Sequence, residues 1–312
     1  MATCCWRWYE LGKVCRFKQI DREPPEMLAA ERWRHMVEVE HAQSDELRVS
    51  VPTSVDHWRP YAAQFRADPR RSGDVLVDHL LEFIGPDDTV MDVGAGGGRL
   101  ALPIALNCRS LVAVEPSESM AEVLTQQAKE SGIANVTVVQ NEWQDAVVDP
   151  ADVVLCAHVL YTIRDIGGFL KKLGSHARNT VLVVVHNAPP QSQIYALWKA
   201  VHGQERLALP SLPQLREVLE ELGISYQVDL MPPQPARGFD TLEQAITQLS
   251  RRLYLADGSP ASDRLERILP GLLMEEEGVF RIKSSQPLRP ALVSWHPTNA
   301  PSRGFVKDKE TG

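Results

Sequence analysis

Hydrophobic positions along this chain alternate between short unbroken runs and amphipathic stretches. From Gly73 onward, apolar runs rich in Val and Leu occupy Thr89–Val93, Val136–Val139 and residues 111–114, 152–156 and 181–185. Continuous runs of this length are strands buried on both faces, as in a parallel sheet covered by crossover helices. Between them, residues 74–84, 117–131 and 166–173 carry helical spacing, with Leu76, Leu80, Leu81 and Ile84 on one stripe and Gly132 placed to end the second helix. Further on, residues 213–222 read as a helix closed by Gly223, residues 226–231 as a strand and residues 291–295 as a last strand. Two helices fill the gap between those strands. One starts at a Thr241/Gln244 capping box and runs to about Leu255, and the other spans residues 262–273 with a break at Pro270. The pattern predicts a doubly wound α/β fold of seven strands with a helical insert before the last one.

The chain before Gly73 reads differently. Residues 1–26 show no periodicity and end at Pro24-Pro25, so they are expected to be an irregular extension. Residues 27–48 form a polar helix-like run. Residues 54–67 predict a second short helix, with Trp58, Tyr61 and Phe65 on one face and Pro60 near its start. The expected organisation is therefore N-terminal helices over residues 27–72, a main domain over 73–296 with its insert at about 240–275, and a polar, disordered tail over 297–312.

Composition narrows the chemistry. At 312 residues, 44% hydrophobic and 24% charged, the chain is an ordinary globular protein with enough length for a large core. No apolar run is long enough for a membrane span, and the N-terminal stretch has no secretory pattern, so the cytoplasm is the expected location. Five cysteines without CxxC or Cys/His spacing argue against a disulfide framework and against structural zinc. A net charge of −8 with no basic block disfavours a nucleic-acid partner.

The stretch VMDVGAGGGRL, residues 90–100, carries the first chemical signal. A glycine loop at the carboxyl end of a strand lets a ligand approach the backbone, and the following helix offers free N–H groups. Dinucleotide enzymes use GxGxxG. From Gly94 that pattern meets Arg99 where its third glycine should stand; from Gly96 it reaches Gly98 and then Ala101, and alanine is tolerated there. The pattern acidic-x-Gly-x-Gly-x-Gly, over Asp92, Gly94, Gly96 and Gly98, fits without substitution.

With that loop, residues 73–186 resemble the class I S-adenosylmethionine-dependent methyltransferases. LVAVEPSESM is similar to the family's second-strand signature, VVQNEWQD to its loop after the third strand, and ADVVLCAHVLYTI to its fourth strand and exit. The resemblance implies a mostly parallel Rossmann-like sheet and S-adenosylmethionine as cofactor. It places Asp92, Gly94, Ala95, Gly96 and Gly98 around the cofactor and gives both ribose hydroxyls to Glu115. Pro116 and Met120 would lie by the adenine, Glu142 and the Trp143 N–H at its edge, and Cys156 to His158 by the methionine part. Tyr61 would fold over the site. Asp92 would orient either the glycine amides or a cofactor ammonium.

Sites in such folds lie at the carboxyl ends of the strands. There His158 follows the fourth strand and His186 ends the fifth, which makes them the candidate bases; His57 is a third histidine on the N-terminal side. Acceptor specificity is expected from the N-terminal helices, from residues 187–213 with Tyr195, Trp198 and His202, and from the insert. The fourth strand exits through Cys156-Ala157-His158-Val159 rather than the Asn/Asp-Pro-Pro-Tyr/Phe of amine methylases, which favours a small-molecule acceptor. The expectation is methyl transfer by in-line displacement in a monomer or homodimer. An NAD(P)-dependent oxidoreductase and a non-catalytic S-adenosylmethionine-binding protein are the alternatives.

Overall fold

The computed structural model describes residues 27–48, 56, 58–59, 61–234, 236 and 238–297. The expectations for residues 1–26 and 298–312, for the start of the 54–67 helix and for His57 and Pro60 lie outside these residues.

The first helix, α1 (Ala29–Arg48), buries Trp33 and Val37 and leaves its other faces polar. Trp33 reaches across the fold, its Nε1–H donating to the Ile163 carbonyl at 2.8 Å. Among the described residues of the 54–67 segment, a 3-10 turn, Ala62–Phe65, stands where a helix was expected, and the Asp56 carboxylate accepts from the Trp58 N–H, the Ser117 hydroxyl and the Ser119 N–H.

The central run follows the apolar pattern closely. Helix α2 (Val75–Leu81) is capped by Asp74, whose side chain accepts from the N–H groups of Leu76 and Val77. Then come β1 (Thr89–Val93), α3 (Ala101–Ala105), β2 (Ser110–Val114) and α4 (Glu118–Glu130), which Ser117 caps. They are followed by β3 (Val136–Val139), β4 (Ala151–Ala157), α5 (Ile166–His176), capped by Asp165, and β5 (Ala177–His186). The segment after β5 is one of those expected to set acceptor specificity. It folds into α6 (Tyr195–His202), with Leu197, Trp198 and Val201 buried.

Helix α7 (Leu212–Glu221) opens with the Ser211/Gln214 capping box and leads to β6 (Gln227–Leu230). The insert holds α8 (Leu242–Arg252) and α9 (Pro260–Leu272), with Pro270 inside the last turns of α9. It also holds a hairpin that the hydrophobic pattern did not predict, β7 (Leu273–Glu276) and β8 (Val279–Ile282). Its two turn residues, Glu277 and Gly278, both have positive φ, 54° and 77°, as two-residue hairpin turns of this hand require. Strand β9 (Pro290–Trp295) closes the chain.

The sheet order is β3-β2-β1-β4-β5-β9-β6. The first five strands are parallel, and β9 runs antiparallel between β5 and β6. The order reverses at β1, which has β2 on one side and β4 on the other, so a crevice opens at the carboxyl ends of β1 and β4. Both faces of the sheet are buried, one under α1, α5 and α7 and the other under α2, α3 and α4. The insert and α6 share a third apolar core around Trp198, Leu249 and Leu269. Among the described residues no helix is long and apolar enough to cross a membrane.

Candidate functional site

Everything at the crevice is set by the loop leaving β1. Gly94, Gly96 and Gly98 adopt φ of 77°, 54° and 85°, a region closed to most side chains. Their surroundings differ. A Cβ on Gly94 would lie 2.3 Å from Val159 Cγ2, whereas one on Gly96 would meet nothing within 4 Å. Gly94 lets the β4 exit pack against the loop, and Gly96 keeps an open cradle. Gly97 is covered by the N-terminal segment, for a Cβ there would come within 3.0 Å of Phe65 Cβ.

Two carboxylates flank the cradle, and they behave differently. Glu115, at the end of β2, is 5% exposed and accepts the Gly96 N–H on Oε2 at 2.7 Å and the Ser117 N–H on Oε1 at 2.9 Å. Each oxygen keeps a second lone pair for another donor. Burial raises its pKa, and the charges of Asp56 and Glu142 add to the rise against the two backbone hydrogen bonds.

Asp92 is 2% exposed, and among the described residues no hydrogen-bond donor reaches its carboxylate. Burial, and then the charge of Glu115, push its pKa up to about 7. Of the two roles expected for Asp92, orienting the glycine amides is therefore not what it does; Glu115 takes the Gly96 amide. A buried carboxylate with no protein partner beside an open backbone cradle fits a ligand that brings its own positive charge.

The remaining cofactor-side residues are placed by the elements around them. Ser117 Oγ donates to Asp56, which also receives the Ser119 N–H at 2.9 Å, so the N-terminal segment is tied to the start of α4 beside Pro116 and Met120. Burial opposes ionisation of Asp56, but these hydrogen bonds prevail and hold its pKa well below the usual carboxylate range. Tyr61, just before the 3-10 turn, is half-buried, and Met120 is 3% exposed.

Glu142 is exposed on the loop after β3. The Trp143 indole packs into the core, edge-on to His176 at 5.0 Å. Lys172 holds the same loop by donating to the carbonyls of Trp143, Gln144 and Ala146 at 2.6, 2.9 and 2.9 Å. Cys156 is fully buried in the sheet, where burial and the nearby Asp92 raise the pKa of its thiol. Arg99, which interrupts the dinucleotide pattern, pairs with Asp74 at 3.0 Å on the outer side of the loop.

His158 and His186 come together. His158 has φ of 61°, and its N–H donates to the Val184 carbonyl at 2.8 Å, which pins it against the end of β5. The two imidazoles stack with centroids 4.3 Å apart and an interplanar angle of 16°. Both contact the Tyr161 hydroxyl, His158 Nδ1 at 3.3 Å and His186 Nδ1 at 3.1 Å. Burial pushes both pKa values down, His186 to about 4 and His158 to about 3; the neighbouring His186 and Arg99 add to the effect on His158. Both rings are therefore neutral at pH 7.

Asp56, Tyr161 and Lys172 were not singled out in the sequence. Asp56 reaches Ser119, 63 positions on, Tyr161 reaches His186, 25 positions on, and Lys172 reaches Ala146, 26 positions back, contacts that no local spacing marks. A surface depression of 380 Å³ lined by Gly85, Asp88, Arg109 and Asp152 lies at the amino ends of the strands, opposite the glycine loop.

Known proteins share this architecture. A methyltransferase from Geobacter sulfurreducens, solved in complex with S-adenosyl-L-homocysteine, superposes with a TM-score of 0.51 at 17% identity, covering 77% of this chain and 96% of that one. The YcgJ protein of Bacillus subtilis gives a TM-score of 0.50 at 19% identity over 70% of this chain and 96% of that one. At these identities the likeness is one of fold. In sequence, the ubiquinone biosynthesis O-methyltransferase of Rickettsia canadensis is 25% identical over 148 residues, which is 43% of this chain and 61% of that protein. The chain thus spans less than two thirds of that relative's length. Residues 56–227, more than half of the chain, match the family model of a methyltransferase domain, and the chain belongs to that family.

Proposed function

We propose that this methyltransferase moves a methyl group from S-adenosylmethionine to a hydroxyl of a small-molecule acceptor. One observation carries the reading. A glycine cradle with an unpartnered buried carboxylate, Asp92, opens at the same edge of the sheet as the neutral His158–Tyr161–His186 group.

The chain's residues divide the work. Gly96, beside Ala95, leaves room for the cofactor along the backbone, Gly98 lets the loop pack against Leu102 and Leu124, and Glu115 has lone pairs left for the ribose hydroxyls. Asp92 faces the cationic methionine part. Glu142 and the Trp143 N–H serve the adenine edge, which Met120, Pro116 and Tyr61 flank. The cofactor supplies a methyl group already activated on a sulfonium, so positioning and exclusion of water are what the protein must add.

His158 or His186 would take up the proton that the acceptor hydroxyl loses on transfer, and that imidazole would then carry the positive charge. Helix α1, the 3-10 turn Ala62–Phe65 and the insert at about 240–275 cover the acceptor. That the Rickettsia relative is an O-methyltransferase supports oxygen as the methylated atom, and the net charge of −8 supports a small molecule over a nucleic acid.

The test is a transfer assay with methyl-tritiated S-adenosylmethionine against catechol, phenol, a primary amine and a short RNA. Label on the aromatic hydroxyls with release of S-adenosylhomocysteine is expected. Label on the amine or the RNA instead overturns the reading.

A further inference from the structure

Tyr161 brings one oxygen atom to three nitrogens. Its hydroxyl accepts the His186 backbone N–H at 2.8 Å and also lies 3.1 Å from Nδ1 of His186 and 3.3 Å from Nδ1 of His158. A phenol has one hydrogen to donate and two lone pairs to offer. The backbone N–H takes one lone pair, which leaves one hydrogen and one lone pair for two Nδ1 atoms.

Proton counting then restricts the imidazoles. Were both protonated on Nε2, one bare Nδ1 would face the phenol oxygen with no hydrogen between them. Were both protonated on Nδ1, two N–H groups would compete for one lone pair and the phenol hydrogen would have no acceptor. Tyr161 is 5% exposed, so either mismatch would leave a buried polar atom unpaired. One ring protonated on Nδ1 and the other on Nε2 satisfies every atom.

We propose that Tyr161 is a positioning residue that holds His158 and His186 in opposite tautomers, so that the stacked pair presents one bare Nε2 and one Nε2–H to a single hydroxyl. The rings lie 4.3 Å apart and nearly parallel, which puts the two remaining nitrogens side by side. Among the described residues neither Nε2 has a hydrogen-bond partner.

The ligand class follows from this pairing. A hydroxyl donates to the bare nitrogen and accepts from the N–H at once, whereas an ammonium only donates and an ether only accepts. The bare Nε2 receives the proton when the O–H bond breaks; the oxygen bonds to the methyl carbon, and the S–CH3 electron pair goes to sulfur. That last use rests on the hydroxyl-acceptor reading above, while the tautomer pattern does not.

The experiment is long-range ¹H–¹⁵N correlation spectroscopy on full-length, ¹⁵N-histidine-labelled protein at pH 7.5, without cofactor. His158→Gln and His186→Gln assign the two rings. Opposite tautomers in the wild type are expected, and in Tyr161→Phe both rings should move to the Nε2–H form that imidazoles favour in water. Identical tautomers in the wild type overturn the proposal, and so does an unchanged pattern in a folded Tyr161→Phe. The wild-type spectrum decides the matter even if that variant does not fold. Opposite tautomers in a protein that methylates no hydroxyl would sustain the proposal and sink the hydroxyl-acceptor reading alone.

Discussion

Gly96 donates its backbone N–H to Glu115 Oε2 across 2.7 Å, joining the loop after β1 to the end of β2. This bond shapes the cradle before any ligand arrives. It also means that Glu115 is both a support for the loop and a binding group, so its removal acts twice. Glu115→Ala should weaken S-adenosylhomocysteine binding at least tenfold, since hydrogen bonds to a charged group contribute about 1.5–3 kcal/mol. Glu115→Gln should do the same with less disturbance of the loop. Calorimetric titration of both variants, beside thermal unfolding, checks this.

The two glycines beside that bond separate folding from binding. Gly94→Ala forces a Cβ to within 2.3 Å of Val159 at a φ of 77°, so it should lower stability, by about 1–2 kcal/mol for the left-handed backbone alone and more for the clash. Gly96→Ala meets no protein atom within 4 Å and carries only the backbone cost, yet its methyl group enters the cradle. Urea denaturation should therefore rank Gly94→Ala as the less stable variant. Cofactor titration of the folded Gly96→Ala should show the larger loss per unit of stability lost.

Asp92 predicts a pH dependence with opposite signs for folding and for binding. Its folded pKa, raised to about 7, lies above the unfolded value of about 3.9. Between those values the folded protein keeps a proton that the unfolded chain has released, so stability falls as pH rises from about 4 to about 7 and then levels off. A cationic ligand favours the ionised carboxylate. S-adenosylmethionine affinity should accordingly rise with pH up to about 7, approaching tenfold per unit below it, with a proton released on binding. Calorimetry in buffers of different ionisation enthalpy measures that proton, and Asp92→Asn should abolish the slope.

Arg206 is the main buried cation outside the site. It pairs with Glu40, donates to Gln43 Oε1 at 2.9 Å and stacks on Trp198 at 3.9 Å, fastening α1 to the chain after α6. Arg206→Ala leaves the Glu40 carboxylate buried without its partner and should cost about 3–5 kcal/mol. Arg206→Met combined with Glu40→Leu should recover much of that. Chemical denaturation of the single and double variants tests the coupling.

These residues also show what was legible in the sequence. Strands Thr89–Val93 and Val136–Val139 were read to their ends because both faces of the sheet demand apolar residues, and that demand is local. The Asp92-to-Gly98 loop was legible for the same reason, its backbone geometry being written in consecutive glycines. Arg206 was not, since Glu40 lies 166 positions away, nor was Tyr161, whose partner His186 is 25 positions on. The 54–67 segment misled because its aromatic spacing suits a helix, while Asp56 is held by residues 117 and 119.

The central claim is that the loop of residues 94–98 admits S-adenosylmethionine rather than a dinucleotide. Isothermal titration of the wild-type protein with S-adenosylmethionine, S-adenosylhomocysteine and NADPH tests it most directly. Saturable one-site binding of the first two and none of NADPH is the predicted result; saturable NADPH binding without S-adenosylmethionine binding would contradict it.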